Sequence, residues 1–291
     1  MEQEKFMMQQ QKITGKIDPR TLIESRLQLH YAVQVIDAIA STLAEPKPDY
    51  SHTSFGWNSE LKVFVGELIP AAKSFRVALE PVSLTSLILD EQNQKIAEFS
   101  LHQKTLAEQI NWYKKEIATL GADADKVVLP SYPRADFPDD KIAHGADFDA
   151  NKGKSGRQEL ANYYAITNLL LQEIVAKEEG ASSIHIWPHH FDIAILVTVG
   201  NISNGEPITV GIGMSPGDTN YNEPYWYVSP YPSPEITNLT ELASGGFWHT
   251  QDWVGAVLKA SNVSGEGEEK IKQIQAFLDS ALQGSKSLLK V

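Results

Sequence analysis

Apolar residues recur at mostly helical spacing from Leu22 to Leu43, through Ile23, Leu27, Leu29, Val33, Ile36 and Ile39. Spacings of three and four stack side chains on one helix face. The pattern therefore predicts a helix that starts near Asp18-Pro19 and stops at Pro46-Lys-Pro48. Strand-like runs follow at Leu61 to Leu68, Ser74 to Glu80, Leu84 to Leu89 and Lys95 to Phe99. In the second run Phe75, Val77 and Leu79 alternate with Ser74, Arg76 and Ala78, the period of a half-buried strand. Thr105 is placed to cap a helix that carries Leu106, Ile110, Tyr113 and Ile117 on one face as far as Leu120. Residues 121–156 hold Pro130, Pro133 and Pro138, many aspartates, and Gly145, Gly153 and Gly156. They read as a long connection that either wraps the core or carries a short strand at Lys126 to Leu129.

The pattern then recurs. A helix is predicted from about Gly156 to Glu179, and a strand over Ile186-Trp-Pro-His-His-Phe-Asp-Ile-Ala-Ile-Leu-Val-Thr198. Further strands are expected at Ile208 to Met214 and Tyr225 to Ser229, a helix opened by Phe247-Trp-His-Thr-Gln-Asp-Trp253, and an amphipathic helix from Glu266 to Leu289. Each half has a long helix, a tryptophan just ahead of an apolar strand (Trp57, Trp187), a second alternating strand, and a histidine before a helix (His102, His249). The expected fold class is α+β: two related α-β-β-α halves with antiparallel sheets and helices packed on the sheets. The expected organisation is a disordered tail over 1–18, an N-terminal half over 19–120, the connection over 121–156 and a C-terminal half over 157–291, folded as one compact unit.

Composition narrows the partners. The chain has 291 residues, 42% of them hydrophobic, which is ample for a sizeable core. Its formal net charge is -12. An acidic surface repels phosphate backbones and anionic lipid, so neither nucleic acid nor a membrane is expected as a partner. There is no cysteine, which removes disulfides and thiolate metal sites. With no apolar signal core near Met1, a cytoplasmic location is expected.

The candidate chemistry sits in the second half. Read as a strand, Ile186 to Thr198 puts His190 and Asp192 on one face, ~6.5–7 Å apart, and His189 with Phe191 on the core face. The neighbouring strand offers Thr209, Gly211, Gly213 and Ser215, a face almost without bulk. Glycine inside a strand often marks close approach by a ligand or another backbone, so the pattern leaves two readings open: a hollow beside Ala194 and Asp192, or a bulge or a helix packed tightly on the sheet. Asp218 and Glu223 lie in the loop that follows. Read at a helix start, Thr250 and Asp252 have capping roles and His249 has none. His249 therefore joins His190 and Asp192 as a candidate catalytic set or a two-His, one-carboxylate divalent-metal site. Trp187, Tyr225, Trp226 and Trp248, with Asp218 and Glu223, are the candidate ligand-binding residues, suited to a planar or sugar-like small molecule; the same aromatics equally suit an ordinary aromatic core.

Two motifs are set aside on physical grounds. Gly213-Met-Ser-Pro-Gly217 has the spacing of a serine nucleophile elbow, but a polar loop follows where a helix is needed. Pro216 also lacks the N–H that would have to stabilise the oxyanion. Gly153-Lys-Ser155 ends like a phosphate-binding loop, but Phe148 stands where the first glycine belongs.

The strand Trp187-Pro-His-His-Phe-Asp-Ile-Ala, the segment Gly211-Ile-Gly-Met-Ser-Pro-Gly-Asp218 and Glu223-Pro-Tyr-Trp-Tyr-Val228 resemble a family of uncharacterised, mostly bacterial conserved proteins. That family is a domain of unknown function with a Trp-Pro-x-His-Phe-Asp strand and a Glu-Pro-Tyr-x-Tyr segment. The resemblance spans most of the chain, with residues 1–20 and 121–156 fitting loosely. It implies that Phe191-Asp192 and Glu223-Pro224 belong to the fold's signature, and it implies no activity. Two functional readings stand at this level. One is a small-molecule or divalent-metal site around His190, Asp192, Asp218, Glu223 and His249, with hydrolysis as one chemistry open to it. The other is a non-catalytic ligand-binding or scaffold protein with an aromatic-lined face. The first requires those five side chains to converge on one point.

Overall fold

A computed structural model describes residues 17–131, 135–202, 205–265 and 267–291. All of the expected tail but Ile17 and Asp18 lies outside the described residues. The described residues form long helices and antiparallel strands, an α+β fold rich in sheet. None of these helices is long and apolar enough to cross a membrane. The chain divides into two compact units. The N-terminal unit is Leu22–Ala161 with His185–Phe191; the C-terminal unit is Asn162–Ile184 and Asp192–Val291 with the segment ending at Thr21.

In the N-terminal unit, helix α1 (Ile23–Leu43) begins close to the expected start. Strands β1 (Phe55–Asn58), β2 (Val63–Gly66), β3 (Arg76–Glu80), β4 (Thr85–Leu89) and β5 (Lys95–Ser100) pair in sequence order. The short β6 (His185–Ile186) adds to β1. The registers Phe64↔Leu79, Val77↔Ile88 and Ser86↔Phe99 set one face of this sheet. Helix α2 (Leu106–Thr119) begins with the expected Thr105 cap, completed by Glu108 as a capping box. Two backbone donors at that helix end, those of Thr105 and Glu108, are thereby satisfied. Gln109 of α2 donates to Ala32 O of α1 and to Ser86 Oγ of β4. The buried Tyr113 hydroxyl reaches Ala78 O and Leu87 O. These bonds tie the two helices and the sheet together and satisfy the buried Gln109 amide and Tyr113 hydroxyl donors.

The connection over 121–156 belongs to this unit and wraps its core. Phe137, Ile142 and Phe148 are buried. Its regular pieces are 3-10 turns at Ala124–Lys126 and Lys141–His144, and the short strand at Lys126 to Leu129 does not form. Its end is fixed by Arg157, whose fully buried guanidinium donates to the carbonyls of Pro81, Val82, Ala150 and Lys152. The Gly153-Lys-Ser155 segment holds no anion cradle. A Cβ on Gly156 would lie 2.3 Å from Ser25 Oγ, so α1 already occupies that space.

In the C-terminal unit, strands β7 (Ile193–Asn201), β8 (Pro207–Ser215), β9 (Tyr225–Tyr231), β10 (Phe247–His249) and β11 (Gly255–Lys259) form an antiparallel sheet in the order β10-β11-β9-β8-β7. Helix α3 (Lys154–Lys177), whose residues from Asn162 onward count with this unit, and helix α4 (Glu268–Leu289) complete it. Ile212, Met214, Trp226, Val228 and Leu258 form the apolar face. Trp226 Nε1 donates to Thr167 Oγ1 of α3 at 2.9 Å, and α4 packs on β8, β9 and β11.

Two expectations are corrected. Trp187 to Asp192 is a turn, and β7 begins only at Ile193. Phe191 N donates to Trp187 O at 2.7 Å, and Phe191 has a left-handed φ of 58°. Extended alternation therefore does not run through this segment, and the shared face inferred for His190 and Asp192 is lost with it. The second correction concerns His249. It ends strand β10 of a hairpin with β11, paired with Gly255, and opens no helix. Pairing of the Phe247-Trp-His edge overrides the local capping pattern, and Asp252 takes a left-handed turn position instead.

Candidate functional site

The sheet face of the C-terminal unit opposite its helices carries the polar groups. Cross-strand partners Ala194, Gly213 and Tyr227 form one row across β7, β8 and β9. The Tyr227 hydroxyl donates to Asp192 Oδ2 at 2.5 Å. A Cβ on Gly213 would lie 2.8 Å from that hydroxyl and 2.9 Å from Ala194 Cβ. Gly213 is thus glycine because the phenol crosses it to reach the carboxylate.

The next row joins Ser215 and Tyr225. The Tyr225 hydroxyl donates to Asp218 Oδ2 at 2.5 Å, while Asp218 Oδ1 accepts the N–H groups of Asn220 and Tyr221. Asp218 therefore builds its own loop and anchors Tyr225. Tyr221 from that loop meets His249 Nδ1 at 2.8 Å. His249 Nε2 faces the carbonyl of Gln251. A carbonyl only accepts, so Nε2 carries the hydrogen and Nδ1 accepts from the Tyr221 hydroxyl. The imidazole stacks on Trp253 with centroids 4.5 Å apart.

Burial, reinforced by the adjacent carboxylates, pushes the Tyr225 and Tyr227 hydroxyls far above the usual phenol range. Tyr221 is raised by the same two causes. All three phenols are neutral at physiological pH, acting as donors rather than as bases or nucleophiles.

The structure separates the predicted site residues. Asp192, Asp218, Tyr225 and His249 lie in this tyrosine-linked network. Glu223 does not: it is buried and accepts from Ser261 N and Ser261 Oγ at 2.7 and 2.9 Å, tying its loop to the turn after β11. Trp226 is fully buried on the helix side, which removes it as a ligand contact. Trp248 alternates away from His249, lies against Gly284 of α4 and donates to Thr240 O. Trp187 and His190 belong to the N-terminal unit. Trp187 contacts His185, and His190 is exposed with its ring edge-on to His189. Among the described residues, no group of three or more His, Asp or Glu side chains is placed to hold a metal, so the His190, Asp192 and His249 set does not assemble. Ser215 is buried, with its Oγ accepting from Gly217 N.

The sequence reading overlooked a polar stripe on α1. Arg26, His30, Gln34 and Asp37 are all buried. His30 Nε2 lies 3.0 Å from Pro188 O and 3.1 Å from His189 O, and Gln34 Nε2 donates to Pro188 O at 2.8 Å. The imidazole sits between Phe137 and Phe191, with centroids at 4.3 and 5.2 Å. Burial drives its pKa down to about 3, so it is neutral and holds the turn through one shared N–H. The available signal was four polar residues spaced four, four and three apart within an apolar helix.

No family model, no curated protein and no solved structure matches this chain.

Proposed function

We propose that the protein binds a small molecule without transforming it, and that the open sheet face of the C-terminal unit is the binding surface. Beside the Tyr227 row lies a second row, Leu196, Gly211 and Ser229, followed by Thr198, Thr209 and Tyr231. The observation that carries the reading is the space over Gly211. A Cβ there would meet nothing closer than Ser229 O at 3.8 Å, while Leu196 and Tyr231 beside it are 47% and 58% exposed. The result is a shallow trough with a floor of Gly211 and Ser229 and apolar or aromatic sides. Tyr227 is held rigid at its edge by Asp192, so little side-chain freedom is lost on binding. Aromatic sides accept the flat face of a ring, and the Ser229 hydroxyl, which donates to Val254 O at 3.5 Å, keeps its lone pairs to accept a hydrogen bond from the edge of that ring. A planar or sugar-like ligand suits that combination.

Catalysis is the weaker reading. The phenols are neutral, both His249 nitrogens are engaged, and the carboxylates Asp192 and Asp218 accept bonds from tyrosines. Each unit also runs helix, five antiparallel strands, helix, and we read the two as copies of one ancestral unit. Their strand orders differ only in the last hairpin.

The test is saturation-transfer NMR with methyl glucoside and adenosine. The wild type should take up saturation with at least one of them. Gly211→Leu, which fills the trough, should weaken that binding by roughly tenfold or more with an unchanged melting temperature. No binding of either probe, equal binding by the variant, or turnover of the ligand contradicts the proposal.

A further inference from the structure

The N-terminal unit carries a separate cavity of about 440 Å³ on the outer face of its sheet. That volume lies within the range of small-molecule sites. Its floor is aliphatic: Val63, Leu87 and Leu89 line it, and with Ala78 they form a buried cluster flanked by Val65.

The rim decides what the cavity takes. Lys95 Nζ is paired with Glu98 Oε2 at 2.7 Å. Both oxygens of Glu80 are engaged, by the N–H groups of Val82 and Ser83 and by the Ser83 hydroxyl. A charged ligand would find no counter-ion without breaking one of these arrangements, and would lose hydration over the apolar floor. Asn93 and Gln94, in the turn of the β4–β5 hairpin, also line the cavity. Their side-chain amides make no hydrogen bond among the described residues, so they are open, uncharged donors and acceptors. A partner strand is a poorer fit. The bordering strand β5 carries one extra residue between Lys95 and Ala97, where its pairing with Ile88 and Leu89 of β4 shifts register, and it carries Lys95, two devices that blunt an edge against strand addition.

We propose that this cavity binds an uncharged amphiphile, with its hydrocarbon body on Leu61 and Leu87, above the buried Val63 and Leu89, and a hydrogen-bonding neutral head at Asn93 and Gln94. The reading is independent of the trough in the C-terminal unit.

The test is methyl NMR of Leu- and Val-labelled full-length protein, titrated with monooctanoylglycerol below its micelle concentration. Octanoate and octylammonium serve as charged counterparts. The Leu87 and Leu89 methyls should shift saturably with the glyceride, with an affinity roughly tenfold or more above either ion. Leu87→Gln should abolish the shifts at Leu89 and leave any glucoside or adenosine binding unchanged. Should Leu87→Gln unfold, the double variant Asn93→Ala, Gln94→Ala at the accessible rim replaces it, with a several-fold loss expected. No saturable shift, equal or tighter binding of an ion, or rim variants without effect overturns the proposal.

Discussion

Replacing Phe191 with alanine is expected to cost about 3–5 kcal/mol of stability, the range for emptying a buried aromatic site. Phe191 is fully buried, and its ring meets His30, Phe55 and Phe64 at centroid distances of 5.2, 6.3 and 5.4 Å. It sits at the end of the turn that precedes β7, so one side chain fills the aromatic core and fixes the turn. Its left-handed backbone supplies an internal control. Alanine keeps the strain of a positive φ, whereas glycine relieves about 1 kcal/mol of it. Phe191→Gly should therefore be no less stable than Phe191→Ala, although it removes one more carbon. Urea unfolding followed by circular dichroism measures both. A loss under about 1 kcal/mol for Phe191→Ala would show that the ring does not organise the turn.

Acid is expected to weaken the protein through His30. The folded state holds this histidine at a pKa of about 3, against an ordinary value of 6.5. Between those values the unfolded chain binds the extra proton and the folded chain does not. Stability is therefore complete above pH 6.5, falls by about 1.4 kcal/mol per pH unit below it, and levels off near pH 3. The full effect is on the order of 4–5 kcal/mol. His185, whose pKa is also lowered by burial, adds in the same direction. His30→Gln keeps an amide donor for the carbonyls of Pro188 and His189 and removes the titration. Urea midpoints at pH 7, 5 and 4 should fall steeply for the wild type and more gently for the variant. Parallel slopes would mean that His30 is already charged or accessible.

The long elements were legible because their patterns are local. The periodic apolar residues of α1, the Thr105 and Glu108 pair at the start of α2, and the alternation of β3 follow from spacing alone. Two segments misled the reading for a shared reason: tertiary contacts set their backbone. Ile186 to Thr198 looks like one apolar strand, but His30 and Gln34 grip the carbonyls at 188 and 189 and Phe191 turns inward. Phe247 to Trp253 carries a good capping pattern, but its first residues pair with β11. Part of the candidate site was also within reach. The space over Gly213 is taken by the Tyr227 phenol, and a Cβ at Gly211 would meet only Ser229 O at 3.8 Å. Period-two alternation alone would have placed Trp226 on the opposite face from Tyr225 and Tyr227. The carboxylate partners of those tyrosines were beyond reach, since Asp192 and Asp218 are distant from them in the ladder or held by loop geometry.

On the function proposed above, the ionisable groups of the C-terminal unit hold its sheet face in shape and neither ligate a metal nor turn over a substrate. Calorimetric titration of the full chain with Zn(II), Mn(II) and Ni(II), alongside Asp192→Asn and His249→Gln, tests this most directly. The account predicts no saturable one-to-one binding to the wild type and the same weak, unspecific heats for both variants. Stoichiometric binding that disappears in either variant would contradict it.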